Sequence, residues 1–195
     1  MRTLTYLVAC TLDGYIAAPD REDPTQREGF FLMQGDHGEA LLRDWPEIIP
    51  THVRPALGLA DTPNKHFDTV LEGRVSYEGG VKAGVNDAYE HLRHLVFSRT
   101  LTEVPGEKVE LVNTDPVAKV RELKQEEGAK IWLVGGATLA GALRDEIDEL
   151  VLKLHPVTAG SGVPLLEGEF QPRRFKLADV ERFDSGVLHL TYVRP

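Results

Sequence analysis

Residues 131–139 read Ile-Trp-Leu-Val-Gly-Gly-Ala-Thr-Leu, and this segment decides the fold that we predict for the chain. Its first four residues are apolar without a polar break, which is typical of a strand covered on both faces. Two glycines then allow the backbone to turn sharply. Residues 138–150 place leucine and isoleucine at helical spacing, and an apolar strand follows at residues 150–154. The segment therefore predicts a strand, a Gly-Gly turn, a helix and another strand.

The turn at Gly135 and Gly136 is a candidate phosphate site. A helix that begins at a glycine turn presents free backbone N–H groups and the positive end of its dipole, so a phosphate can lie close to the main chain. The alternative is that these glycines only form a tight turn between a strand and a helix. The motif alone leaves both interpretations open, so the other strand ends must decide between them.

The composition restricts the class of protein. A length of 195 residues suits one domain, which we expect to span residues 1–195. With 22 basic and 31 acidic residues the net charge is −9, which disfavours nucleic acid as a partner. The lone Cys10 excludes an internal disulfide, and the seven histidines match no metal-ligand spacing, so no metal is predicted. Since no apolar run approaches the roughly 20 residues of a membrane helix, we expect no membrane contact and a soluble, cytoplasmic protein.

Two further predicted strands end in groups that could bind an anion. The strands lie at residues 67–71 and 92–97, where short runs of apolar and β-branched residues are bounded by polar ones. The residues that follow them and could hold a phosphate are Gly73, Arg74, Ser76, Ser98 and Arg99. Because strands alternate with helices, the sheet should be mainly parallel and its ligand should bind beyond the carboxyl ends of the strands. We therefore expect these groups to share a rim with Gly135 and Gly136.

The rest of the chain supplies the edges of the predicted sheet and one irregular segment. The other predicted elements are a strand at 3–11, a short strand at 109–112, a helix that begins at Pro116, and a hairpin formed by 175–183 and 187–193. Residues 19–67 show the weakest pattern, with one short helix at 38–45 that Pro46 stops. Long irregular stretches of this kind more often form a lid or a pocket wall than a linker, so we assign this segment to the substrate side.

The motifs at these strand ends resemble those of the dihydrofolate reductase-like fold. The similarity is to the branch that contains the C-terminal reductase domain of bacterial riboflavin biosynthesis proteins and related stand-alone reductases. The matching motifs are Thr-Leu-Asp-Gly-Tyr-Ile-Ala at 11–17, Gly-Arg-Val-Ser-Tyr-Glu at 73–78, Val-Phe-Ser-Arg-Thr-Leu at 96–101, Val-Gly-Gly-Ala-Thr-Leu at 134–139, and Asp-Glu-Leu at 148–150 with Pro-x-x-x-Gly-x-Gly at 156–162. The resemblance implies an α/β fold with three layers, a mainly parallel central sheet and a C-terminal antiparallel hairpin.

The resemblance also implies a cofactor and a reaction. The cofactor is NADPH, which would supply hydride to a small heterocyclic substrate, pterin- or pyrimidine-like, or to a carbonyl substrate. The implied positions are the 2′-phosphate near Arg74, Ser76, Ser98 and Arg99, the pyrophosphate on Gly136, Ala137, Thr138 and Leu139, and the nicotinamide beside Ala9 and Ile16. A small-molecule substrate and a homodimer are also implied by the family.

Several carboxylates are candidates for roles in such a site. Asp13 is the candidate proton donor, although capping of its own turn by the carboxylate is the favoured alternative. In dihydrofolate reductases an acidic residue binds the pterin, and the candidates for that residue here are Asp36, Glu39, Asp44 and Glu47. Glu72 adds a carboxylate beside the predicted 2′-phosphate residues, which weakens the expected preference for NADPH over NADH.

Details of the resemblance bear on the substrate. Ala140 replaces the aromatic residue that dihydrofolate reductases carry shortly after the Gly-Gly turn, which argues against folate itself. The resemblance implies an activity like that of 5-amino-6-(5-phosphoribosylamino)uracil reductase or like that of dihydrofolate reductase, with reduction of folate itself disfavoured. Two other classes stay open: a non-catalytic nucleotide-binding or regulatory module on the same fold, and a structural α/β domain whose glycines only form turns. A shared cleft at Arg74, Ser98 and Gly136 would favour a dinucleotide, and separate surfaces would exclude one.

Overall fold

The computed structural model describes residues 1–22, 24, 30–32 and 34–195. The strands are β1 (Leu4–Cys10), β2 (Tyr15–Ala17), β3 (Phe67–Gly73), β4 (Arg93–Phe97), β5 (Glu110–Val112), β6 (Lys130–Gly135), β7 (Glu149–Leu154), β8 (Val163–Pro164), β9 (Lys176–Arg182) and β10 (Leu188–Val193). The α-helices are α1 (Asp36–Asp44), α2 (Arg74–Lys82), α3 (Pro116–Gln125) and α4 (Ala137–Ala142). None of the helices within the described ranges combines the length and the apolar character needed to cross a membrane.

One sheet forms the centre of the molecule, with eight strands in the order β5-β4-β3-β6-β1-β7-β10-β9. The strands from β5 to β7 in this order run parallel, whereas β10 is antiparallel to both β7 and β9. The predicted α/β fold with a mainly parallel sheet and a C-terminal antiparallel hairpin is confirmed. Because parallel strands share a direction, the carboxyl ends of β4, β3, β6, β1 and β7 lie on one rim, which we call the carboxyl rim.

Both faces of the sheet are covered. On one face, α3 and α4 lie over an apolar core that includes Leu71, Leu133 and Leu143. On the other face, α1 and the 3-10 helix Pro46–Ile48 lie over a cluster that includes Leu7 and Trp132. Tyr77 of helix α2 packs in a third cluster with Val96 of β4 and Val109, which precedes β5. The three layers that the resemblance implies are therefore present.

Helix α4 is shorter than the sequence pattern predicts. It covers Ala137–Ala142 instead of residues 138–150. The chain leaves the helix early because it must enter the sheet beside β1, where the Asp148 N–H donates to the Leu4 carbonyl at 3.0 Å. Leu143 and Ile147 are buried in the intervening turn, so their helical spacing reflects burial and not a continuous helix.

The predicted substrate-side segment contains more regular structure than expected. The short helix before Pro46 is confirmed as α1, and two 3-10 helices, Pro46–Ile48 and Arg54–Leu57, follow it. The Arg54 guanidinium donates to the Pro46 carbonyl at 2.7 Å, which ties the two short helices together. Residues 23, 25–29 and 33 of this segment lie outside the described part of the chain.

Candidate functional site

The strand ends that the sequence singles out lie side by side on the carboxyl rim. Strand β3 lies between β4 and β6, and Gly73 is in register with Phe97. Ser98 therefore follows β4 on one side of the start of α2, and Gly136 follows β6 on the other side. Arg74, Ser98 and Gly136 share one rim, as expected for the ends of adjacent parallel strands.

The starts of α2 and α4 meet at a narrow contact, which we call the helix junction and define by Gly73, Ser76, Gly135 and Gly136. The Gly136 N–H donates to Ser76 Oγ at 3.4 Å. A Cβ on Gly73 would lie 3.6 Å from the Gly135 carbonyl oxygen and 3.7 Å from Leu139 Cβ. Because both N-cap residues are glycine, neither helix has a side-chain cap, and the first N–H groups remain available to an anion.

A loop after β8 covers the outer side of α4. The Glu167 N–H donates to the Ala137 carbonyl at 3.1 Å, and the Thr138 hydroxyl donates to Glu167 Oε2 at 2.6 Å. A Cβ on Gly141 would overlap the Glu167 carbonyl, so only glycine allows the loop to approach this closely. The Thr138 hydroxyl, predicted to lie on the pyrophosphate, is therefore already bound to a carboxylate.

Two arginines stand on the outer side of the helix junction. Arg74 Nη1 lies 3.3 Å from Glu78 Oε1, and the Arg74 side chain is 48% exposed. Arg99 is also exposed, at the turn after β4. Exposed ion pairs contribute at most about 1 kcal/mol, so both guanidinium groups can reorient toward a phosphate at little cost.

Ser98 differs from these arginines because its side chain is buried in its own turn. Its Oγ accepts hydrogen bonds from the Thr100 N–H at 3.1 Å and the Leu101 N–H at 2.9 Å. The hydroxyl therefore shapes the turn after β4, and only its hydrogen is left to donate to a phosphate.

Glu72 does not face the predicted 2′-phosphate residues, which corrects the expectation that it weakens binding of NADPH. Its side chain is buried on the opposite face of β3 from Gly73, where Glu72 Oε2 accepts from His94 Nε2 at 3.0 Å. His94 Nδ1 lies 2.8 Å from Asp87 Oδ1 on its other side. Burial alone would lower the pKa of His94, but the hydrogen bonds to Asp87 and Glu72 raise it to about 9. The imidazolium is thus shared by the carboxylates of Glu72 and Asp87, on the face of β3 away from the predicted 2′-phosphate residues.

Ala9 and Ile16, the residues predicted beside the nicotinamide, both lie at the carboxyl end of β1. Ala9 is the penultimate residue of β1, and the chain reverses at Gly14, where φ is 84°. Strand β2 then returns and pairs with β8, which leaves Ile16 half-buried over this end of the sheet. Ala9 is half-buried, and its side chain is a single methyl group, so a flat ring beside this strand end would meet little steric hindrance from it.

The carboxylate of Asp13 is ionised and caps the turn after β1. Its carboxylate accepts from the Thr11 hydroxyl at 2.6 Å, from the Ala159 N–H at 3.0 Å and from the Gly160 N–H at 2.7 Å. The bond from Thr11, followed by those from Gly160 and Ala159, lowers the pKa of Asp13 to about 2. A group this acidic holds no proton to give at neutral pH, so the structure favours capping over proton donation.

We predict that Asp13→Asn retains most of any reductase activity. The variant loses charge but keeps an acceptor, so turnover should stay within about threefold of the parent, whereas loss of a general acid costs about 100-fold or more. Amide hydrogen exchange at Ala159 and Gly160 should accelerate, because their acceptor weakens. Asp115→Asn, a matched change at the N-cap of α3, should leave exchange at those two amides unchanged. A large loss of turnover in Asp13→Asn would restore Asp13 as the proton donor.

The candidate pterin-binding acids are engaged elsewhere or exposed. Glu47 is fully buried, and its Oε1 accepts from the His66 N–H at 2.5 Å and the Phe67 N–H at 2.9 Å, which anchors the start of β3. Asp36 accepts from the Asp184 N–H at 2.7 Å and so joins α1 to the closing hairpin. The remaining two, which lie on α1, are Asp44, paired with Arg43, and the exposed Glu39.

Sequence patterns did not predict the basic cluster that lies on the α1 face of the carboxyl rim. It consists of His37, Lys153, His155 and His189, which come from α1, from β7 and the residue after it, and from β10. His155 and His189 are buried, and burial followed by the charge of Lys153 lowers the pKa of each to about 4. The local signal was a lysine and a histidine two apart at a strand end, which only the register of β10 makes meaningful.

A protein-family model matches nearly the whole chain. Residues 2–189 match the family model of the RibD C-terminal domain. The chain belongs to this family. Two relatives of this RibD C-terminal domain protein are the uncharacterized proteins YyaP and YwjB of Bacillus subtilis (strain 168), each 30% identical to it. The match to YyaP covers 95% of this chain and 91% of YyaP, and the match to YwjB covers 99% and 98%.

Two solved structures share the fold of this RibD C-terminal domain protein. One is a protein of Shewanella sp. PV-4 assigned to riboflavin biosynthesis, with a TM-score of 0.66, 23% identity, and coverage of 100% of this chain and 99% of that one. The other is the diaminohydroxyphosphoribosylaminopyrimidine deaminase/5-amino-6-(5-phosphoribosylamino)uracil reductase of Thermotoga maritima, with a TM-score of 0.62 and 18% identity. That match covers 100% of this chain and 57% of the longer protein. At these identities the two structures establish the fold alone.

Proposed function

We propose that the protein is an NADPH-dependent reductase that transfers hydride to a small heterocyclic substrate, pterin- or pyrimidine-like, or to a carbonyl substrate. The observation that carries this proposal is the helix junction, where the Gly136 N–H reaches Ser76 Oγ at 3.4 Å and two helix starts face one space. Membership of the RibD C-terminal domain family supports it, as does the uracil reductase activity in the name of the Thermotoga maritima protein.

The residues of the junction fit a dinucleotide. A Cβ on Gly136 would meet no atom nearer than Ser76 Oγ at 3.9 Å, so there is room beside Gly136 for a bound group. A pyrophosphate there would be held by the starts of α2 and α4. Ser76, which the resemblance places near the 2′-phosphate, would then lie beside the pyrophosphate, and the 2′-phosphate would lie within reach of Arg74 and Arg99. When bound, the cofactor supplies the hydride. The chain's own task is to hold the nicotinamide beside Ala9 and to exclude water from it.

Fluorescence and absorbance test the proposal. Trp132 is buried in β6, the strand that leads to the junction, so saturable quenching of protein fluorescence by NADPH is expected. A panel of dihydropterins, aminopyrimidinediones and aldehydes should then include a compound whose addition consumes NADPH. Binding without consumption across the panel would support the alternative, a non-catalytic nucleotide-binding module. Absence of binding would leave only a structural role.

We predict that the double variant Arg74→Ala/Arg99→Ala separates NADPH from NADH. Removing two guanidinium groups near the 2′-phosphate should raise the Kd for NADPH about tenfold, which corresponds to about 1.4 kcal/mol. The Kd for NADH should change by less than about threefold, because NADH lacks that phosphate. Fluorescence titration measures both constants.

The matched control for that variant is Arg93→Ala. Arg93 lies at the amino end of β4 and pairs with Glu110 at 3.0 Å and Glu126 at 2.8 Å. The variant therefore removes a guanidinium charge far from the carboxyl rim. Equal losses of affinity for NADPH and NADH in the double variant would mean that these arginines do not bind the 2′-phosphate.

A further inference from the structure

The amine of Lys153 lies on the carboxyl rim without an ion-pair partner among the residues that the structure describes. Lys153 is the penultimate residue of β7, in register with Ala9 on β1 and with His189 on β10. Residues in register point to the same face of a sheet, and the preceding pair on that face, Leu7 and Val151, belongs to the cluster beneath α1. The Lys153 side chain therefore leaves the sheet beside Ala9, on the face covered by α1.

No carboxylate among the described residues pairs with this amine. Nζ of Lys153 makes no hydrogen bond and no ion pair with them, and burial lowers the pKa of Lys153 to about 8. Three acids lie close to this cluster, and each has another partner. The charge of Asp44 on α1 acts on His189, Glu181 Oε2 on β9 lies 3.9 Å from His189 Nδ1, and Asp36 Oδ1 accepts from the His37 N–H at 3.0 Å. The charge of Lys153 is therefore left for a bound molecule to use.

The imidazoles around Lys153 cannot accept its proton readily. His155 and His189 are neutral at pH 7 because the pKa of each is lowered to about 4. His155 Nδ1 already accepts from the Leu32 N–H at 3.2 Å. The ring of His37 lies beside that of His155, with 5.7 Å between the centroids, and His37 Nδ1 lies 2.9 Å from Ser185 Oγ. Nε2 of His189 is buried and lacks a hydrogen-bond partner among the described residues. The wall beside Ala9 thus offers a polar atom without a partner and an ammonium.

We propose that Lys153 Nζ is the proton donor of the reduction, an inference that rests on the proposed reductase function. The electron-poor carbon of the substrate's C=N or C=O bond gains a hydride from the reduced nicotinamide and forms a C–H bond. The π electrons move to the nitrogen or oxygen, which takes a proton as an N–H bond of Lys153 breaks. NADPH is oxidised to NADP⁺, the substrate is reduced, and the neutral amine regains a proton from water.

The chemistry of the amine suits this step better than that of Asp13. A general acid is most effective when its pKa lies near the working pH, and such a group contributes about 10²–10⁴ in rate. Asp13 is ionised and fully engaged in hydrogen bonds at the turn after β1. Lys153 is protonated at neutral pH, close to its titration, and directed to the face where the nicotinamide would lie beside Ala9.

Competitive acetylation of the unmodified protein by acetic anhydride tests this position without a substrate. The reagent attacks only neutral amines, so the pH dependence of labelling at each lysine, followed by mass spectrometry, reports the state of that amine. We expect half-maximal labelling of Lys153 near pH 8 and a several-fold slower reaction with saturating NADPH. Lys130, which pairs with Glu149 at 2.8 Å near the opposite rim, should react at the same rate with and without NADPH.

The outcomes separate the two proposals. If NADPH quenches Trp132 fluorescence yet leaves labelling of Lys153 unchanged, the inference about Lys153 is overturned and the reductase proposal stands. If NADPH does not bind, both proposals fall. Labelling of Lys153 that titrates with the other lysines would also overturn the inference.

Kinetics of two variants then tests the proton transfer itself. With a dihydropterin, aminopyrimidinedione or aldehyde that the parent reduces, Lys153→Met should lower kcat about 100-fold or more. Its Kd for NADPH, measured by fluorescence, should stay within about twofold of the parent, since binding energy lies mainly at the phosphates. Lys153→Arg should lose rate as well, because a guanidinium keeps its proton, whereas a role limited to positive charge would be rescued. Parent-like kcat in either variant would contradict the proposal.

Discussion

Replacing Ser76 with aspartate is expected to abolish binding of NADPH while leaving the fold intact. The new carboxylate would lie close to the Gly136 N–H, which Ser76 Oγ accepts at 3.4 Å, and so would occupy the position proposed for the pyrophosphate. Two charges about 4 Å apart near a protein surface repel by about 4 kcal/mol, so the Kd for NADPH should rise at least 100-fold. An acid in the first turn of α2 is also favourable to that helix, so thermal stability should not fall.

Two variants serve as controls for Ser76→Asp. Ser76→Ala removes the hydroxyl without adding charge and should raise the Kd by only about threefold, the value of one weak hydrogen bond. Gln125→Glu adds the same charge at the exposed end of α3, near the opposite rim, and should leave binding unchanged. If Ser76→Asp bound NADPH as tightly as the parent, the helix junction would not be the pyrophosphate site.

Replacing His94 with alanine should destabilise the protein more than any surface change. His94 is 1% exposed and lies between Glu72 at 3.0 Å and Asp87 at 2.8 Å, with the rings of Tyr77 and Tyr89 against it. Removing one member of a buried charged group leaves the others uncompensated, at a cost of about 3–5 kcal/mol. Urea denaturation should therefore show a lower midpoint with little change in slope.

The controls for His94→Ala separate charge from volume. His52→Ala is the same change at an exposed position and should alter the free energy of unfolding by less than about 0.5 kcal/mol. Adding Glu72→Gln to His94→Ala removes one of the two uncompensated carboxylates and should recover part of the loss. A loss below about 1 kcal/mol in His94→Ala would mean that the buried cluster is not charged.

The pH dependence of the free energy of unfolding should also show that His94 is charged in the folded protein. Because folding raises the pKa of His94 from 6.5 to about 9, its contribution to stability is complete below pH 6.5 and is lost as the pH rises through about 9. Burial raises the pKa of Asp87, but the hydrogen bond from His94 and the smaller effects of neighbouring groups together outweigh burial, so the pKa is lowered overall. The contribution of Asp87 to stability is therefore present above pH 3.8 and is lost as the pH falls below that value. His94→Ala should lack the loss of stability between pH 6.5 and 9, which equilibrium denaturation between pH 6 and 9 would reveal; the loss above pH 9, where folding raises the pKa of Cys10, should remain.

Local sequence patterns were sufficient to predict the strand ends, but not the side chains that contact them from other elements. The unbroken apolar run before Gly135 and the glycine before Arg74 determine where two helices begin, and this information is local. Glu72 stands beside Gly73 in sequence, yet the alternation of β3 turns its side chain to the other face, where His94 meets it. The partner lies 22 residues away, so the sequence offered no means to pair them.

Sequence patterns predicted the wrong length for α4 and did not single out Lys153, for a related reason. The spacing of Leu143 and Ile147 records that they are buried, and a turn beneath α3 buries them as well as a helix would. Lys153 lies beside Ala9 and His189 only because β7 pairs with β1 in parallel and with β10 in antiparallel register. Strand register across a sheet is set by contacts distant in sequence, which a motif search cannot supply.

Amide hydrogen exchange with and without NADPH tests most directly whether one dinucleotide lies along the carboxyl rim. The helix starts and turns at residues 73–77, 98–101 and 135–140 should gain protection together, with a common dependence on NADPH concentration, while residues 54–64 near the opposite rim stay unchanged. Saturable binding that protects only one of the three segments, or a different surface, would contradict the shared site.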